Sequence, residues 1–224
     1  MPIVSTAKPI TLVGGAPVTW QTLDMALKLA PLSVAADGGA GSLLAHGSDP
    51  MAVIGDMDSI STDLVGRIAK ERFHAVAEQD STDFEKCLQR IAAPIVVGVG
   101  FLGARLDHQM AAQTSLVRYA HIKCLLLGEF DVVFVVPPFF SINLPKSTRI
   151  SLFPMGEVMM QSRGLQWSTD GLKFAPDAQI GTSNISTGFV HLKPSGPKML
   201  AILPVSQANL IFASLQHAKR WTVL

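Results

Sequence analysis

Twelve aspartates stand against five glutamates, and eight of the twelve fall between Asp37 and Asp107. A merely solvated surface uses Glu and Lys on helix faces at least as freely. Here the aspartates follow runs that read as β-strands: Asp37 after 32–36, Asp56 and Asp58 after 51–54, Asp80 and Asp83 after 73–77, and Asp107 after the run that ends at Gly100. In an open parallel sheet the carboxyl ends of the strands border the ligand crevice, so these sequence-distant carboxylates converge on one edge. Asp is short and stiff, which suits Mg²⁺, an ion that takes one or two carboxylates, keeps several waters and bridges phosphates. Converging carboxylates without a cation repel one another and raise their own pKa values. The chemistry indicated is divalent-metal and phosphate binding on a nucleotide. Taken singly, each Asp also reads as a turn or N-cap residue, and Asp49 before Pro50 and Asp63 in a first helical turn are read that way.

The glycines agree with this reading. Gly38-Gly39 and Gly55 allow backbone to approach a phosphate, and the helix N-termini that follow offer unpaired N–H groups. Gly14-Gly15 is a weaker instance of the same pattern. GxxxxGK[ST] is absent, which excludes a P-loop, and no GxGxxG opens the first helix, which disfavours a dinucleotide. Two cations accompany the carboxylates. Lys86 lies three residues past Asp83 on one helix face, and reads equally as an intrahelical ion pair or a phosphate ligand. Arg105 sits in a loop entering a helix, where a guanidinium could clamp a phosphate bidentately. His108 reads as a cap or packing residue as readily as a catalytic one.

The elements that must hold these residues alternate. Strand-like runs at 10–13, 32–36, 51–54, 95–99, 122–127 and 132–136 are interleaved with helical patterns at 19–30, 62–72, 82–91 and 107–119. That alternation predicts α/β architecture, an open and mostly parallel sheet with helices on both faces. After Pro137-Pro138 short strand-like runs are separated by Gly, Pro, Ser and Asn with no strong helical period, which predicts an antiparallel all-β module. The expected domains are 1–138 and 139–224. A net charge of +1, with 16% charged residues, carries no basic stripe of a nucleic-acid footprint. Mean hydropathy is +0.35, yet no run approaches the ~18 apolar residues of a membrane span. Met1-Pro2-Ile3 does not open a signal-like segment. Cys87 and Cys124 belong to no metal or redox motif and read as reduced core residues, which suits the cytoplasm. The apolar excess suggests surface buried between subunits.

Four segments, Ala36-Asp37-Gly38-Gly39-Ala40, Ile54-Gly55-Asp56-Met57-Asp58-Ser59-Ile60, Gln79-Asp80-Ser81-Thr82-Asp83-Phe84-Glu85-Lys86 and Gly103-Ala104-Arg105-Leu106-Asp107-His108, resemble in order and spacing the successive motifs of the thiamin pyrophosphokinase family. The resemblance continues in Gly164-Leu165-Gln166-Trp167 and Gly181-Thr182-Ser183-Asn184. It departs at Gly41, where the family usually has Asn, and at Met57, often an aromatic. The resemblance implies a Rossmann-like catalytic domain followed by a C-terminal β-sandwich, in a homodimer with its site at the subunit interface. It implies transfer of diphosphate from ATP to the hydroxyethyl group of thiamin, with Mg²⁺, giving thiamin diphosphate and AMP. By motif match Asp56, Asp58, Asp83 and Asp107 would hold the metal, joined in catalysis by Lys86 and Arg105. Asp37, Gly38, Gly39, Gly55, Gln79, Asp80 and His108 would lie along ATP, and Trp167, Ser183 and Asn184 along thiamin. The rival readings are a pyrophosphokinase for another hydroxymethyl heterocycle, such as a pterin, and a non-catalytic nucleotide or thiamin sensor.

Overall fold

The computed structural model describes residues 1–58, 64, 66–78, 80–103 and 105–222. The chain divides into two compact units, one of Met1–Ser115 with Leu126–Glu129, the other of Leu116–Leu125 with Phe130–Leu224.

The first unit contains β1 (Val4–Ser5), β2 (Ile10–Val13), α1 (Trp20–Leu29), β3 (Leu32–Ala36), α2 (Gly39–Ala45), β4 (Ala52–Gly55), β5 (Phe73–Ala75), α3 (Asp83–Arg90), β6 (Ile91–Ala92), β7 (Val96–Val99) and the start of α4 (Leu106–Arg118). Its sheet is parallel, in the order β7-β2-β3-β4-β5, and β1 pairs with β6 beside it. Every residue of β2, β4 and β7 is buried, as expected of parallel strands covered on both faces. The chain runs β2, β3, β4, β5 to one side and then returns to the other side of β2 with β7. This reversal of direction at β2 opens a crevice at the strands' carboxyl ends.

Local chemistry sets the helix boundaries. Thr19 caps α1 by accepting from the Thr22 N–H at 3.2 Å, and Leu23 and Ala26 form its buried face. Thr11 on β2 is fully buried, and its hydroxyl is within hydrogen-bond range of the Ala30 carbonyl at 2.7 Å and the Ala26 carbonyl at 3.0 Å. It thereby fastens the end of α1 to the central strand. α3 starts with a capping box: Thr82 Oγ1 accepts from the Glu85 N–H, and the Glu85 carboxylate accepts from the Thr82 N–H. Phe84, Cys87 and Leu88 then face the core. Of the helix expected over 62–72, positions 62, 63 and 65 lie outside the described residues, and Lys70–Arg72 forms a single 3₁₀ turn.

β8 (Cys124–Leu127) is buried throughout. The second unit then holds β9 (Asp131–Val135), β10 (Phe140–Asn143), β11 (Arg149–Pro154), β12 (Val158–Leu165), β13 (Lys173–Phe174), β14 (Thr182–Pro194), β15 (Met199–Pro204) and α5 (Ala208–His217). Its strand pairings are antiparallel. The long β14 serves two groups of strands, pairing with β11 over Thr182–Ile185, with β10 beyond Gly188, where φ is +132°, and with β12 mainly beyond Gly188 but also at Ser186, opposite Leu165.

Two features differ from the sequence expectation. The apolar run 132–136, expected to complete the parallel pattern, pairs antiparallel with β15; a continuous Val/Phe run does not distinguish the two pairings. The C-terminal part was also expected to lack a strong helical period. It ends in α5, which buries Ala208, Ile211, Phe212 and Leu215, an i, i+3, i+4, i+7 stripe.

Replacing Thr11 by Val keeps the side-chain shape and removes the hydroxyl that bonds the end of α1. The expected result is a loss of about 1–2 kcal/mol in urea unfolding with an unchanged m-value.

Candidate active site

A cavity of about 640 Å³ opens where the strands of the first unit end. Each strand delivers its own segment to the wall: Gly15 to Pro17 follow β2, Asp37 and Gly38 follow β3, Asp56 follows β4, and Gly100 and Phe101 follow β7. The loop before α3 and its first turn supply Ser81, Thr82, Asp83 and Lys86, and Arg105 and His108 come from the start of α4.

Several glycines make this convergence possible, chiefly through contacts between protein elements. A Cβ on Gly39 would lie 2.0 Å from the Val13 carbonyl oxygen, and one on Gly55 would lie 2.8 Å from the Cβ of Asp37. Gly55 therefore lets β4 end directly beside Asp37. Asp37 itself is buried with φ +43°, and Met57, between Asp56 and Asp58, has φ +70°. These left-handed conformations in non-glycine residues are costly and uncommon. Asp37, Asp56 and Asp58 each present a carboxylate oxygen, and the three oxygens lie within 4.8 Å of one another. A cluster of hard oxygen donors of this kind fits Mg²⁺.

Among the described residues, Lys86 is the charged side chain that the fold encloses most completely. It is 2% exposed, with Nζ 3.2 Å from Asp56 Oδ2 and 3.1 Å from Asp83 Oδ1. Burial alone would lower its pKa, but hydrogen bonds and charge from Asp83 and Asp56 outweigh that effect and raise it. The same hydrogen bond from Lys86 is the main cause holding the Asp56 carboxyl below its ordinary value, with the Asp58 N–H assisting.

The metal set implied by the family resemblance was Asp56, Asp58, Asp83 and Asp107. Among the described residues, the carboxylates gathered closely enough for one ion are Asp37, Asp56 and Asp58, two of which belong to that set, while Asp83 faces Lys86. Asp107 is exposed and pairs with Arg105 through Nη2 at 2.6 Å and Nε at 3.2 Å. That guanidinium draws the Asp107 carboxyl down to about 2. Asp80 is exposed, and its N–H donates to Glu78 Oε2 at 3.1 Å. Gln79 and Asp63 lie outside the described residues. Asp49, read as a turn residue, bonds Arg72. Cys87 and Cys124 are free and buried, and burial pushes both thiols up.

In the second unit, Trp167 is 52% exposed and Ser183 is exposed. Asn184 is fully buried. Its amide accepts from the Trp167 N–H at 3.1 Å and from the Ile185 N–H at 2.9 Å, and donates to the Trp167 carbonyl at 2.7 Å. The side chain is thus occupied in holding the Trp167 backbone.

Sequence reasoning missed Glu78 and Phe101. The Glu78 carboxylate accepts from the Ser81 hydroxyl and from the N–H groups of Asp80 and Ser81, and the Ser81 hydroxyl is the main cause of its lowered pKa. Its signal was available: an acidic residue two and three places before polar turn residues. Phe101, in the cavity wall, meets Phe84 in a tilted ring contact with centroids 4.4 Å apart.

A parallel α/β sheet whose strand ends gather carboxylates, a buried lysine and an arginine around one cavity has the form of the class of sites suited to a polyphosphate and a divalent cation. Comparison with known proteins narrows that class. The pattern described as "Thiamin pyrophosphokinase, catalytic domain" matches residues 23–126. Thiamin pyrophosphokinase 1 of Caenorhabditis elegans is 30% identical over 190 residues, covering 75% of this chain and 77% of the worm protein. Thiamine pyrophosphokinase 1 of rice, Oryza sativa subsp. japonica, is 28% identical over 204 residues, 76% of this chain and 75% of its own. The fold resembles thiamin pyrophosphokinase from Candida albicans, with a TM-score of 0.75 at 15% identity over 88% of this chain and 89% of that one. It also resembles thiamin pyrophosphokinase from Geobacillus thermodenitrificans, with a TM-score of 0.72 at 21% identity over 90% and 99%. The chain belongs to the thiamin pyrophosphokinase family.

The enclosed charges predict a pH signature. Asp56 has a lowered pKa, so the stability it contributes is present above its ordinary value of 3.8 and is lost as pH falls through its folded value. Lys86 has a raised pKa, so its contribution is complete below 10.5 and is lost as pH rises through its folded value. Lys86→Met should lower stability at neutral pH by about 2 kcal/mol, less than for a fully enclosed pair because both carboxylates are partly open to water. It should also remove the alkaline loss, which denaturant unfolding from pH 3 to pH 12 measures.

Proposed function

We propose that this chain is a thiamin pyrophosphokinase that transfers the terminal diphosphate of ATP to the hydroxyethyl group of thiamin, releasing AMP. The observation that carries the reading is the Lys86–Asp56–Asp83 cluster sharing one cavity with Asp37, where Asp56 also belongs to the carboxylate group with Asp37 and Asp58. In this reading the first unit is a Rossmann-like nucleotide-binding domain and the second a β-sandwich that supplies thiamin contacts. The active form is a cytoplasmic homodimer with its site at the subunit interface.

Asp37, Asp56 and Asp58 would hold Mg²⁺, with Asp83 and Asp107 as further acidic groups along the polyphosphate path. When bound, Mg²⁺ supplies charge neutralisation for the triphosphate and for leaving AMP. The thiamin hydroxyl oxygen forms a bond to the β-phosphorus as the bond from that phosphorus to the α-phosphate bridging oxygen breaks. The hydroxyl proton passes to a carboxylate. Asp83 is better placed than Asp107 for this role because it lines the cavity. Lys86, kept protonated by its two carboxylates, sets positive charge where the transferred group gains negative charge. Arg105 lines the same cavity, and exchanging Asp107 for a phosphate would preserve its bidentate geometry. His108 lies on the same wall, beside the nucleotide. The Gly38 and Gly39 backbone would approach the phosphates at the start of α2. Gln79 and Asp80, from the same motif, would border ATP.

Trp167 offers an exposed indole face, and Asn184 fixes the backbone that bears it. An aromatic face attracts a cationic heterocycle such as the thiazolium of thiamin, and Ser183 stands beside it as a polar contact.

Two measurements test the reading. Asp58→Asn should keep the fold, by circular dichroism, and lower AMP formation from ATP and thiamin by about a hundredfold or more; substantial retained turnover would sink the assignment. Supplying thiamin and hydroxymethylpterin side by side should give AMP with thiamin alone, and Trp167→Ala should raise the thiamin KM by about tenfold. Preferential turnover of the pterin would overturn the substrate assignment. Tight binding of thiamin and ATP without turnover would indicate a sensor.

A further inference from the structure

The cavity contains an aromatic contact that the proposed chemistry does not use. β7 ends at Val99, and Gly100, with φ +75°, turns the chain so that Phe101 folds back over the strand ends. The space for its ring depends on two glycines. A Cβ on Gly14 would lie 2.6 Å from Phe101 Cε1, and one on Gly98 would lie 3.2 Å from Phe101 Cδ2. Across from these strands the ring meets Phe84, in the first turn of α3, with centroids 4.4 Å apart and planes inclined at 42°. Phe84 is 3% exposed and lies between Asp83 and Lys86 in sequence, whereas Phe101 is half-buried and borders the cavity.

From this geometry we infer that Phe101 is a positioning residue: it wedges the first turn of α3 against the ends of β2 and β7, holding Lys86 and Asp83 in register with Asp56. The same ring anchors the loop that leads to Arg105. That loop has positive φ at Gly100 and Gly103, and glycines at such positions leave it little intrinsic stiffness. Arg105 follows Phe101 closely in sequence and lines the same cavity, so the placement of this ring bears on that cation as well as on Lys86. Lys86 is matched to its carboxylates at 3.2 Å and 3.1 Å. A shift of α3 by about one ångström would carry Asp83 along with Lys86 but break the match to Asp56, and misplacements of this size cost catalysis heavily.

The inference rests on the diphosphate-transfer reading, and its test separates the two. Phe101→Leu and Phe101→Ala are compared with Leu23→Ala, a control that opens a cavity under α1 in the same unit. Three quantities are measured: thermal stability, affinity for a non-hydrolysable ATP analogue with Mg²⁺ by calorimetry, and steady-state kinetics well below the melting temperature. The expected result for Phe101→Ala is an analogue Kd weakened about tenfold and kcat lowered about a hundredfold, with the thiamin KM unchanged. Phe101→Leu should fall between Phe101→Ala and the parent. Leu23→Ala should lose comparable stability while keeping kcat and analogue affinity. If Phe101→Ala loses no more kcat and analogue affinity than Leu23→Ala at matched destabilisation, the ring is only core packing and the inference is overturned. If the parent chain fails to turn over thiamin, yet the analogue Kd still weakens selectively in Phe101→Ala, the substrate reading fails and the positioning role stands.

Discussion

The ammonium of Lys86 is enclosed in the protein with 2% of its side-chain surface exposed, and much of the first unit can be understood as the means of keeping it there. An ammonium withdrawn from water carries a desolvation cost that only close, well-aligned opposite charge repays. Asp83 comes from the same helix, three residues earlier, and is inexpensive to place. Asp56 comes from thirty residues away, at the exit of β4, so the second half of the neutralisation depends on the sheet and α3 being correctly packed. The balance is not even. Asp56 also belongs to the group with Asp37 and Asp58, so one lysine stands against more carboxylates than it can neutralise. The surplus negative charge is what makes the spot suited to a divalent cation.

Bringing those carboxylates together depends on backbone geometry more than on side-chain choice. Gly55 and Gly39 remove the Cβ atoms that would hold β4 away from Asp37 and α2 away from β2. Asp37 and Met57 accept left-handed conformations that would each cost of the order of 1 kcal/mol in an unconstrained chain. Strain of this sort persists only where surrounding structure over-determines it. Here the hydrogen bond from the Asp37 N–H to the Ile54 carbonyl at 3.0 Å and the buried strands on either side do so.

Much of this was legible in the residues. The βα alternation and the convergence of aspartates at strand ends both follow from periodicity and from parallel-sheet geometry, which are local and repetitive signals. The partner of each aspartate was not legible. Asp37 joins Asp56 and Asp58, whereas Asp83 and Asp107 each face a cation, and the choice depends on distances of a few ångströms set by tertiary packing. Gly55 illustrates the same limit: its closeness to Asp37, where a Cβ would lie 2.8 Å from the Asp37 Cβ, is a tertiary contact that its spacing in the sequence did not reveal. The antiparallel pairing of β9 was hidden for a different reason, since a wholly apolar strand carries no alternation to reveal its sheet. α5, by contrast, displays its stripe plainly at 208, 211, 212 and 215, and was obscured only by the strand-rich segment before it.

The second unit fixes an exposed side chain by another route. An indole that is 52% exposed gains little from burial, so packing alone would leave its backbone free to choose among conformations. Asn184 supplies the missing constraint, bonding both the N–H and the carbonyl of Trp167 from a fully buried position on β14. A buried amide committed in this way is costly to remove, because its partners would be left unsatisfied away from water. In the proposed reading this arrangement would order the Trp167 platform before thiamin arrives, so less conformational entropy would remain to be lost on binding. Lys86 is held by charge and Trp167 by a backbone clamp. In both cases a residue that solvent alone would leave loose is fixed by a partner remote in sequence.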